Sequence, residues 1–318
     1  MKIIQDSTKQ FINESRKVKD FSAFDLFHGY FYARWPYIYI AVGSREHWLS
    51  RIIFPVVGFI NRLFRPLNYL RKKVFPPKQE IEFADTYHGK VVPIAGARQL
   101  LTVQQDIHLE DLEHVIPYQK ARDLIMLDPT HIGVLDCPCR SARENPCKPL
   151  DVCIIVGEPF VGMMIDHHQQ SQRGRRITQA EALQILQEED DRGHVHHAFF
   201  KDALLGRFYA ICNCCTCCCA AIQSHRAGIP MLASSGYEAV VDEDLCTGCG
   251  TCAAYCQFQA MEVVNGVNQI DTSACMGCGI CTSKCPQDAI HLQTAPARGI
   301  PLELDALMNS VLQQSEIE

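Results

Sequence analysis

The sequence contains no long uninterrupted apolar run. Its two most apolar stretches, residues 27–40 and 52–60, fall short of the roughly 18 uncharged residues that a membrane-spanning helix requires. The first residues, Met1 to Ser7, also lack the continuous apolar core and the small-residue cleavage site of a secretory signal peptide. We therefore expect a cytoplasmic protein, whose membrane contact, if it has one, is peripheral and on the inner face of the cell membrane.

Nucleotide-binding fingerprints are also missing. No Gly-x-Gly-x-x-Gly follows a strand-like segment, and there is no glycine-rich phosphate loop of the Walker type. These absences argue against a dinucleotide site and an ATP site, while a flavin bound without a fingerprint stays open. We expect no nucleic-acid partner.

Cysteine, by contrast, is in excess. The chain has 18 cysteines among 318 residues, in three groups at 137–153, 212–219 and 246–285. Disulfide frameworks belong to secreted chains and join distant segments, whereas these cysteines stand in close Cys-x-x-Cys and Cys-x-Cys steps. The pattern therefore indicates metal or cluster ligation in a reducing compartment.

Charge divides the chain into a basic and an acidic part. Residues 1–80 hold 14 Lys and Arg against 6 Asp and Glu, a net +8, and the remaining residues carry −14, for a total of −6. We predict that residues 1–78 form an apolar helical arm with its own partner. Aromatic and aliphatic residues flanked by cations suit a segment that lies in a membrane interface. Packing on the body of the protein or on a subunit is the alternative.

Residues 79–235 have the composition of a mixed α/β domain. We predict a helix at 117–127, with proline in its first turn, and strands at 131–136 and 208–211. Thr178 and Glu181 match a capping box that opens a helix through about Asp190, with Gly193 as its terminator. Residues 296–318 predict a helical tail, because apolar residues recur there at helical spacing: Leu304, Leu307, Met308, Val311 and Leu312.

An internal repeat occupies the C-terminal region. Residues 241–256 and 270–285 both contain Cys-x-x-Cys-x-x-Cys-x-x-x-Cys, offset by 29 residues, with a glycine on each side of the second cysteine. Glycine permits the positive φ angles and close backbone approach of a loop wrapped around a cluster. This repeat closely resembles bacterial two-cluster ferredoxins over about 50 residues. The resemblance implies a domain at 236–295 that binds two 4Fe–4S clusters and transfers low-potential electrons.

In this motif the fourth cysteine of each run ligates the other cluster. The resemblance therefore assigns Cys246, Cys249, Cys252 and Cys285 to one cluster. It assigns Cys275, Cys278, Cys281 and Cys256 to the other. The two runs differ at one point, because Pro286 follows Cys285 whereas Gln257 follows Cys256. A pair of zinc sites is the disfavoured alternative.

Ten further cysteines lie in the central domain. A Cys-Pro-Cys-Arg turn followed by a Cys-Asn-Cys-Cys row, within about residues 115–220, resembles poorly characterised 4Fe–4S-binding proteins of anaerobes. That resemblance implies cluster binding and no named reaction. The candidate metal ligands are Cys137, Cys139, Cys147, Cys153, Cys212, Cys214, Cys215, Cys217, Cys218 and Cys219.

The division of these ten cysteines among sites is open. The simplest count gives one cube to the four cysteines of 137–153 and a second to four members of 212–219. Mixed sets, one cluster of higher nuclearity, and zinc are alternatives. A match to the double-cysteine motif of heterodisulfide reductases is weak, because these pairs are crowded and lack the following glycine. In an extended chain, Cys212, Cys214 and Cys218 would face one way, and Cys215, Cys217 and Cys219 the other.

Histidines and arginines are weaker candidates. His167 and His168, and the group His194, His196 and His197, could hold a metal or relay protons, although packing is their more frequent role. The central arginines could shield cluster charge, but we expect them on a solvated face: Arg140, Arg143, Arg173, Arg175 and Arg176.

The sequence thus predicts an α+β protein, with a ferredoxin-type dicluster module attached to a cysteine-rich α/β domain. Its expected function is electron transfer between the ferredoxin clusters and one or two further clusters, beside a redox protein or a membrane redox complex. A ferredoxin-fed reductase, acting on a sulfur-containing or other small substrate, is the main alternative. Metal or sulfur trafficking is the least favoured.

Overall fold

Four helices make up the N-terminal region of the computed structural model, which describes residues 4–74, 82–166 and 172–315. They are α1 (Asp6–Ser15), α2 (Ala23–Arg34), α3 (Pro36–Gly43) and α4 (Ser50–Val74). The Ser22 side chain accepts a hydrogen bond from the backbone N–H of Asp25 and caps α2. Pro36 starts α3, where its missing N–H and fixed φ cost nothing.

The first three helices pack on the body of the protein. Phe11 and Tyr32 are buried in the same hydrophobic core as residues of the central domain. The Tyr32 and Tyr209 hydroxyls are hydrogen-bonded at 2.7 Å, and Glu14 pairs with the buried Arg207 at 3.1 Å. A separate N-terminal arm is therefore not supported for α1 to α3.

An antiparallel sheet forms the centre of the protein. Its strands lie in the order β2-β3-β4-β7-β6-β1-β8, with β5 also paired to β3 and only the β1–β8 pair parallel. The strands are β1 (Tyr87–Val91), β2 (Ile107–Leu109), β3 (Leu124–Asp136), β4 (Asp151–Glu158), β5 (Gly174–Ile177), β6 (Val195–Lys201), β7 (Arg207–Cys214) and β8 (Leu232–Ala233). The long strand β3 shifts register between Leu127 and Ile132, so the sheet curls.

Successive side chains of a strand point to opposite faces of this sheet, and the sheet separates two hydrophobic cores. Along β4, Ile154 belongs to one core and Ile155 to the opposite one, as the two-residue period of a strand requires. Helices complete the domain: α5 (Phe83–Thr86), α6 (Ile94–Thr102), α7 (Pro138–Ser141), α8 (Phe160–Ile165), α9 (Gln179–Asp191) and α10 (Ala220–Arg226). The first core lies under α6 and α9, and the second lies under α1, α2, α8 and α10.

One predicted helix is wrong. Residues 117–123 form no helix, and residues 124–127 begin the strand β3. The reason is tertiary, because Leu124 to Met126 pair with β2 and are buried, which outweighs local helix preference. The strands at 131–136 and 208–211 are confirmed within β3 and β7. The helix from Thr178 is confirmed as α9, with Thr178 accepting from the N–H of Glu181.

The C-terminal region forms a small module of two two-stranded antiparallel sheets and two short helices. Its elements are β9 (Tyr237–Val241), α11 (Thr251–Tyr255), β10 (Met261–Val264), β11 (Val267–Ile270), α12 (Ile280–Lys284) and β12 (Ile290–Thr294). β9 pairs with β12 and β10 with β11. The predicted tail helix is confirmed as α13 (Leu304–Ser315), on which Leu304, Leu307 and Met308 pack against the first core. The side chains of Val311 and Leu312 lie outside the described part of the chain.

Helix α4 differs from the other N-terminal helices. Its apolar side chains Ile52, Phe59 and Leu63 are more than half exposed, and its 25 residues include no Asp or Glu. Across the described ranges, none of the helices has both the length and the apolar character needed to cross a membrane.

We expect that Gly29→Ala destabilises the protein whereas Gly58→Ala does not. A Cβ at Gly29 would lie 2.0 Å from the backbone oxygen of Ala203, so α2 would have to move away, at about 1–3 kcal/mol. A Cβ at Gly58, inside α4, meets nothing within 4 Å, and the added helix propensity is worth up to about 1 kcal/mol. Thermal unfolding midpoints measure both effects. Equal midpoints for the two variants would contradict this packing of α2.

Candidate iron–sulfur centres

The repeat in the C-terminal module builds two cavities, each lined by four cysteines. Cys246, Cys249, Cys252 and Cys285 line the first, here called the outer ferredoxin site. Cys256, Cys275, Cys278 and Cys281 line the second, here called the inner ferredoxin site. Each site thus takes three cysteines from one run and the fourth from the other, which is the grouping that the sequence predicts. Ligation itself stays a prediction.

The glycines of the repeat are required by the backbone. Gly248 and Gly277 have φ angles of 64° and 63°, in the left-handed region. A Cβ at Gly248 would lie 2.2 Å from the oxygen of Gly266, and one at Gly277 would lie 2.1 Å from the oxygen of Tyr237. The loops therefore approach neighbouring backbone more closely than any other residue type allows.

The surroundings of the sulfurs suit a negatively charged cluster. Backbone N–H groups of Asn268, Ala260 and Ala289 donate to the sulfurs of Cys246, Cys256 and Cys285 at 3.4, 3.3 and 3.3 Å. Such hydrogen bonds offset thiolate charge and tune reduction potential. Four converging cysteines, glycine-lined loops and N–H donors together fit a 4Fe–4S cluster at each site.

The two ferredoxin sites differ in exposure. Cys249 in the outer site is exposed, and hydrogen bonds from Thr251 lower the pKa of its thiol. In the inner site, burial raises the pKa of Cys278 to about 12. Met276 and Ile280, beside this site, are buried in the second core of the central domain. The inner site therefore faces the central domain, and the outer site faces solvent.

The ten central cysteines fall into two groups. A cavity of about 150 Å³ lies among the tyrosines Tyr32, Tyr39, Tyr87 and Tyr209, and Cys215 and Cys218 also border it. Six further cysteines line this cavity, which we therefore call the six-thiol cavity: Cys137, Cys139, Cys153, Cys212, Cys214 and Cys219. Their thiols contact one another in the order 137-139-219-214-212-153. The second group, here called the four-thiol site, consists of Cys147, Cys215, Cys217 and Cys218.

This division is one of the mixed sets, and it has a local cause. Cys212 and Cys214 face one way along β7, as the extended-chain prediction states. For Cys218 and Cys219 that prediction is wrong, because β7 ends at Cys214 and the chain turns, with the N–H groups of Cys218 and Cys219 both donating to the oxygen of Cys215. The turn brings Cys219 to Cys214 and Cys218 to Cys215.

Arg140 and Asn213 hold the two cysteine segments together from behind. The prediction of a solvated Arg140 is wrong, since only 1% of this residue is exposed. Its guanidinium pairs with Glu189 and donates to the backbone oxygens of Pro149 and Asn213, which a planar fork of five donors can do at once. The Asn213 amide, on the opposite face from Cys212 and Cys214, donates to the oxygen of Val152 at 2.8 Å.

The histidines form no metal group in the described ranges. His194 binds Glu189 at 2.7 Å, and His196 binds the Asn213 side chain at 2.7 Å. His197 is fully buried, and burial lowers its pKa to about 3. His167 and His168 lie outside the described residues.

One residue that the sequence marked only as a departure has a clear place. Gln257, which follows Cys256, accepts hydrogen bonds at its side-chain oxygen from the N–H of Thr216 (2.8 Å) and from the Thr216 hydroxyl (2.8 Å). Its side-chain nitrogen donates to the oxygen of Gly193 at 2.9 Å. Proline at this position, as in the other run, would lose all these side-chain contacts.

Comparison with known proteins supports the ferredoxin sites. The family model of the 4Fe-4S dicluster domain matches residues 239–292. No curated protein matches the chain. The resemblance of the central region to cluster-binding proteins therefore stays a prediction. The C-terminal module of this chain is a 4Fe–4S dicluster domain of the ferredoxin type.

Proposed function

We propose that the chain is an iron–sulfur electron-transfer protein. Its ferredoxin clusters exchange low-potential electrons with a further cluster in the six-thiol cavity, and a redox protein or membrane redox complex is the partner at the outer site. The observation that carries the proposal is the Gln257–Thr216 junction, which docks the inner ferredoxin site on the turn after β7, where Cys215 and Cys218 border the six-thiol cavity.

The junction is short in covalent terms. Gln257 is bonded to Cys256 of the inner site, and Thr216 stands between Cys215 and Cys217. The Thr216 hydroxyl donates to the backbone oxygen of Gln257 at 2.7 Å as well as to its side chain. Tyr255, one residue before Cys256, packs into the second core. These contacts hold the two cysteine regions in a fixed relation.

The six-thiol cavity supports a further cluster. A bound iron–sulfur cluster supplies one-electron chemistry, and the cavity supplies at least the four soft ligands that a cube needs. The tyrosine side chains cover the cavity and add no charge to it. Burial raises the pKa of Tyr32, so its hydroxyl stays neutral. Arg140, behind the cysteines, is placed to offset thiolate charge.

A ferredoxin-fed reductase is the second candidate, favoured by the number of thiols. Six thiols exceed the four ligands of one cube. The cavity opens between aromatic side chains, and its size suits a small substrate. A substrate-dependent change in the EPR signal of the central cluster would favour this enzyme. A signal that responds only to redox partners supports the carrier.

A membrane surface is the proposed location of the redox partner. Ile52, Phe59 and Leu63 share an exposed face of α4, and Arg51, Arg62 and Arg65 are exposed on the same helix. An exposed apolar face on a cationic helix without acidic residues fits an anionic lipid interface.

The junction is tested by Gln257→Pro, which gives both runs the same residue after the fourth cysteine. Three side-chain hydrogen bonds are lost at about 1 kcal/mol each, so the equilibrium constant for docking should fall by about a hundredfold. We expect slower reduction of the central cluster through the ferredoxin, measured by rapid-freeze EPR, with unchanged ferredoxin spectra. Gln293→Ala, at an exposed contact with Glu238, is the control. Unchanged kinetics in Gln257→Pro would contradict the proposed route.

Iron content tests the central cluster. We expect about 12 or more Fe per anaerobically purified chain, since the two ferredoxin cubes account for about 8. The triple variant Cys139→Ser/Cys212→Ser/Cys214→Ser, which leaves three thiols in the six-thiol cavity, should lose iron there and keep the ferredoxin EPR signal, whereas Cys252→Ser should disturb that signal. A wild-type count of about 8 Fe would refute the central cluster.

Vesicle binding tests the role of α4. We expect the full chain to bind phosphatidylserine-containing vesicles, and Phe59→Asp/Leu63→Asp to weaken binding by about a hundredfold, because two buried apolar side chains contribute at least about 3 kcal/mol. Phe24→Asp, at an exposed residue of α2, is the control. Equal vesicle binding by the double variant and the control would rule out this face.

A further inference from the structure

The sulfurs of the four-thiol site lie unusually close together. All four Sγ atoms are within 4.8 Å of one another, with 2.9 Å between Cys147 and Cys217 and 3.8 Å between Cys217 and Cys218. A zinc ion bound tetrahedrally at about 2.3 Å places its sulfurs about 3.8 Å apart. A cube binds each thiolate to a different iron, so its ligand sulfurs lie farther apart than those around a single ion.

The ferredoxin sites provide a yardstick within the same structure. Among the residues that the structure describes, the four-thiol site is the one group of three or more potential ligands that meets the 4.8 Å limit. Neither ferredoxin quartet meets it, although each lines one cavity. The four-thiol site is thus more compact than the two sites that fit cubes.

We infer that Cys147, Cys215, Cys217 and Cys218 bind a single zinc ion in a tetrahedral site. This site uses none of the six thiols of the six-thiol cavity, although Cys215 and Cys218 border that cavity. It takes no part in electron transfer, because zinc has no accessible second oxidation state. Its ligands come from two segments, the loop before β4 and the turn after β7, so the ion joins them as a crosslink.

Residues around the four-thiol site support this role. The N–H of Cys147 donates to the sulfur of Cys218 at 3.5 Å, and Arg143 donates to the oxygen of Cys218 and to the Gln223 side chain. Gln223 in turn donates to the oxygens of Thr216 and Cys217. A zinc ion with four thiolates carries a net charge of −2, and Arg143, which also pairs with Glu46, lies beside it and donates to the backbone of the ligand Cys218.

The zinc site also has a structural consequence for the ferredoxin module. Thr216, the residue that binds Gln257, lies between the ligands Cys215 and Cys217. Fixing both neighbours fixes the Thr216 backbone N–H and hydroxyl in the positions that receive Gln257. The zinc therefore orders the docking surface and leaves the electron carriers to the other cysteines.

Metal analysis of the anaerobically purified full chain tests this inference. We expect about one zinc per chain, with X-ray absorption at the zinc edge showing four sulfur ligands at about 2.3 Å. Cys217→Ser should lower zinc occupancy and leave the iron count unchanged. Cys249→Ser is the matched control, because it also replaces an exposed cysteine and should lower iron without changing zinc.

Two results would overturn the inference. One is wild-type protein without zinc, and the other is a loss of about four irons from Cys217→Ser, which would mean a cube at this site. The absorption spectrum of the wild-type protein decides the matter even where a variant fails to fold. A missing central cluster with zinc present would refute the proposed electron route and leave the zinc site standing.

Discussion

A buried guanidinium holds the two central cysteine segments in one arrangement. Arg140 follows the Cys137–Cys139 turn directly, and its donors reach the backbone of Asn213, between Cys212 and Cys214. Glu189 compensates the charge from α9. Removing one partner of such a buried pair is expensive because it leaves an uncompensated charge, typically about 3–5 kcal/mol. Both the six-thiol cavity and the turn that leads to the four-thiol site depend on this contact, since each requires segments about 70 residues apart to meet.

Crowding of thiols in the central domain is consistent with the proposed metal binding. The hydrogen bond that the Cys214 thiol donates to Cys212, together with burial, raises the pKa of Cys214 well above its usual value, so without metal the thiol is neutral. Metal binding must displace such protons, and the free energy of binding then adds to that of folding. The tyrosine walls add no charge, because burial also raises the pKa of Tyr209. We infer that the folded domain and its metals stabilise each other.

The parts of the structure that the sequence predicts correctly are those set by local spacing. The grouping of the ferredoxin cysteines is what the resemblance of the two runs to two-cluster ferredoxins implies, and the glycines of each run allow its loop to wrap around a cluster. The division of the ten central cysteines depends instead on where β7 ends and on which strands it joins. The sequence predicts a surface position for Arg140 because its acceptors, Glu189 and Asn213, are remote in sequence. The helix predicted at 117–127 is also wrong because of a tertiary contact, since part of this segment pairs with β2.

Gln257 illustrates how a departure from a motif carries information. In the sequence, Gln257 only replaces the proline that follows the fourth cysteine of the other run. In the structure, its side-chain amide is hydrogen-bonded to Thr216 and Gly193. The difference in exposure between the two ferredoxin sites indicates the order in which electrons pass through them. Cys249 of the outer site is open to solvent, while Cys278 of the inner site packs against the second core. An external partner can approach the outer site, and the inner site is the one next to the central cysteines. We infer that electrons pass through the outer site first when they arrive from a partner, and last when they leave.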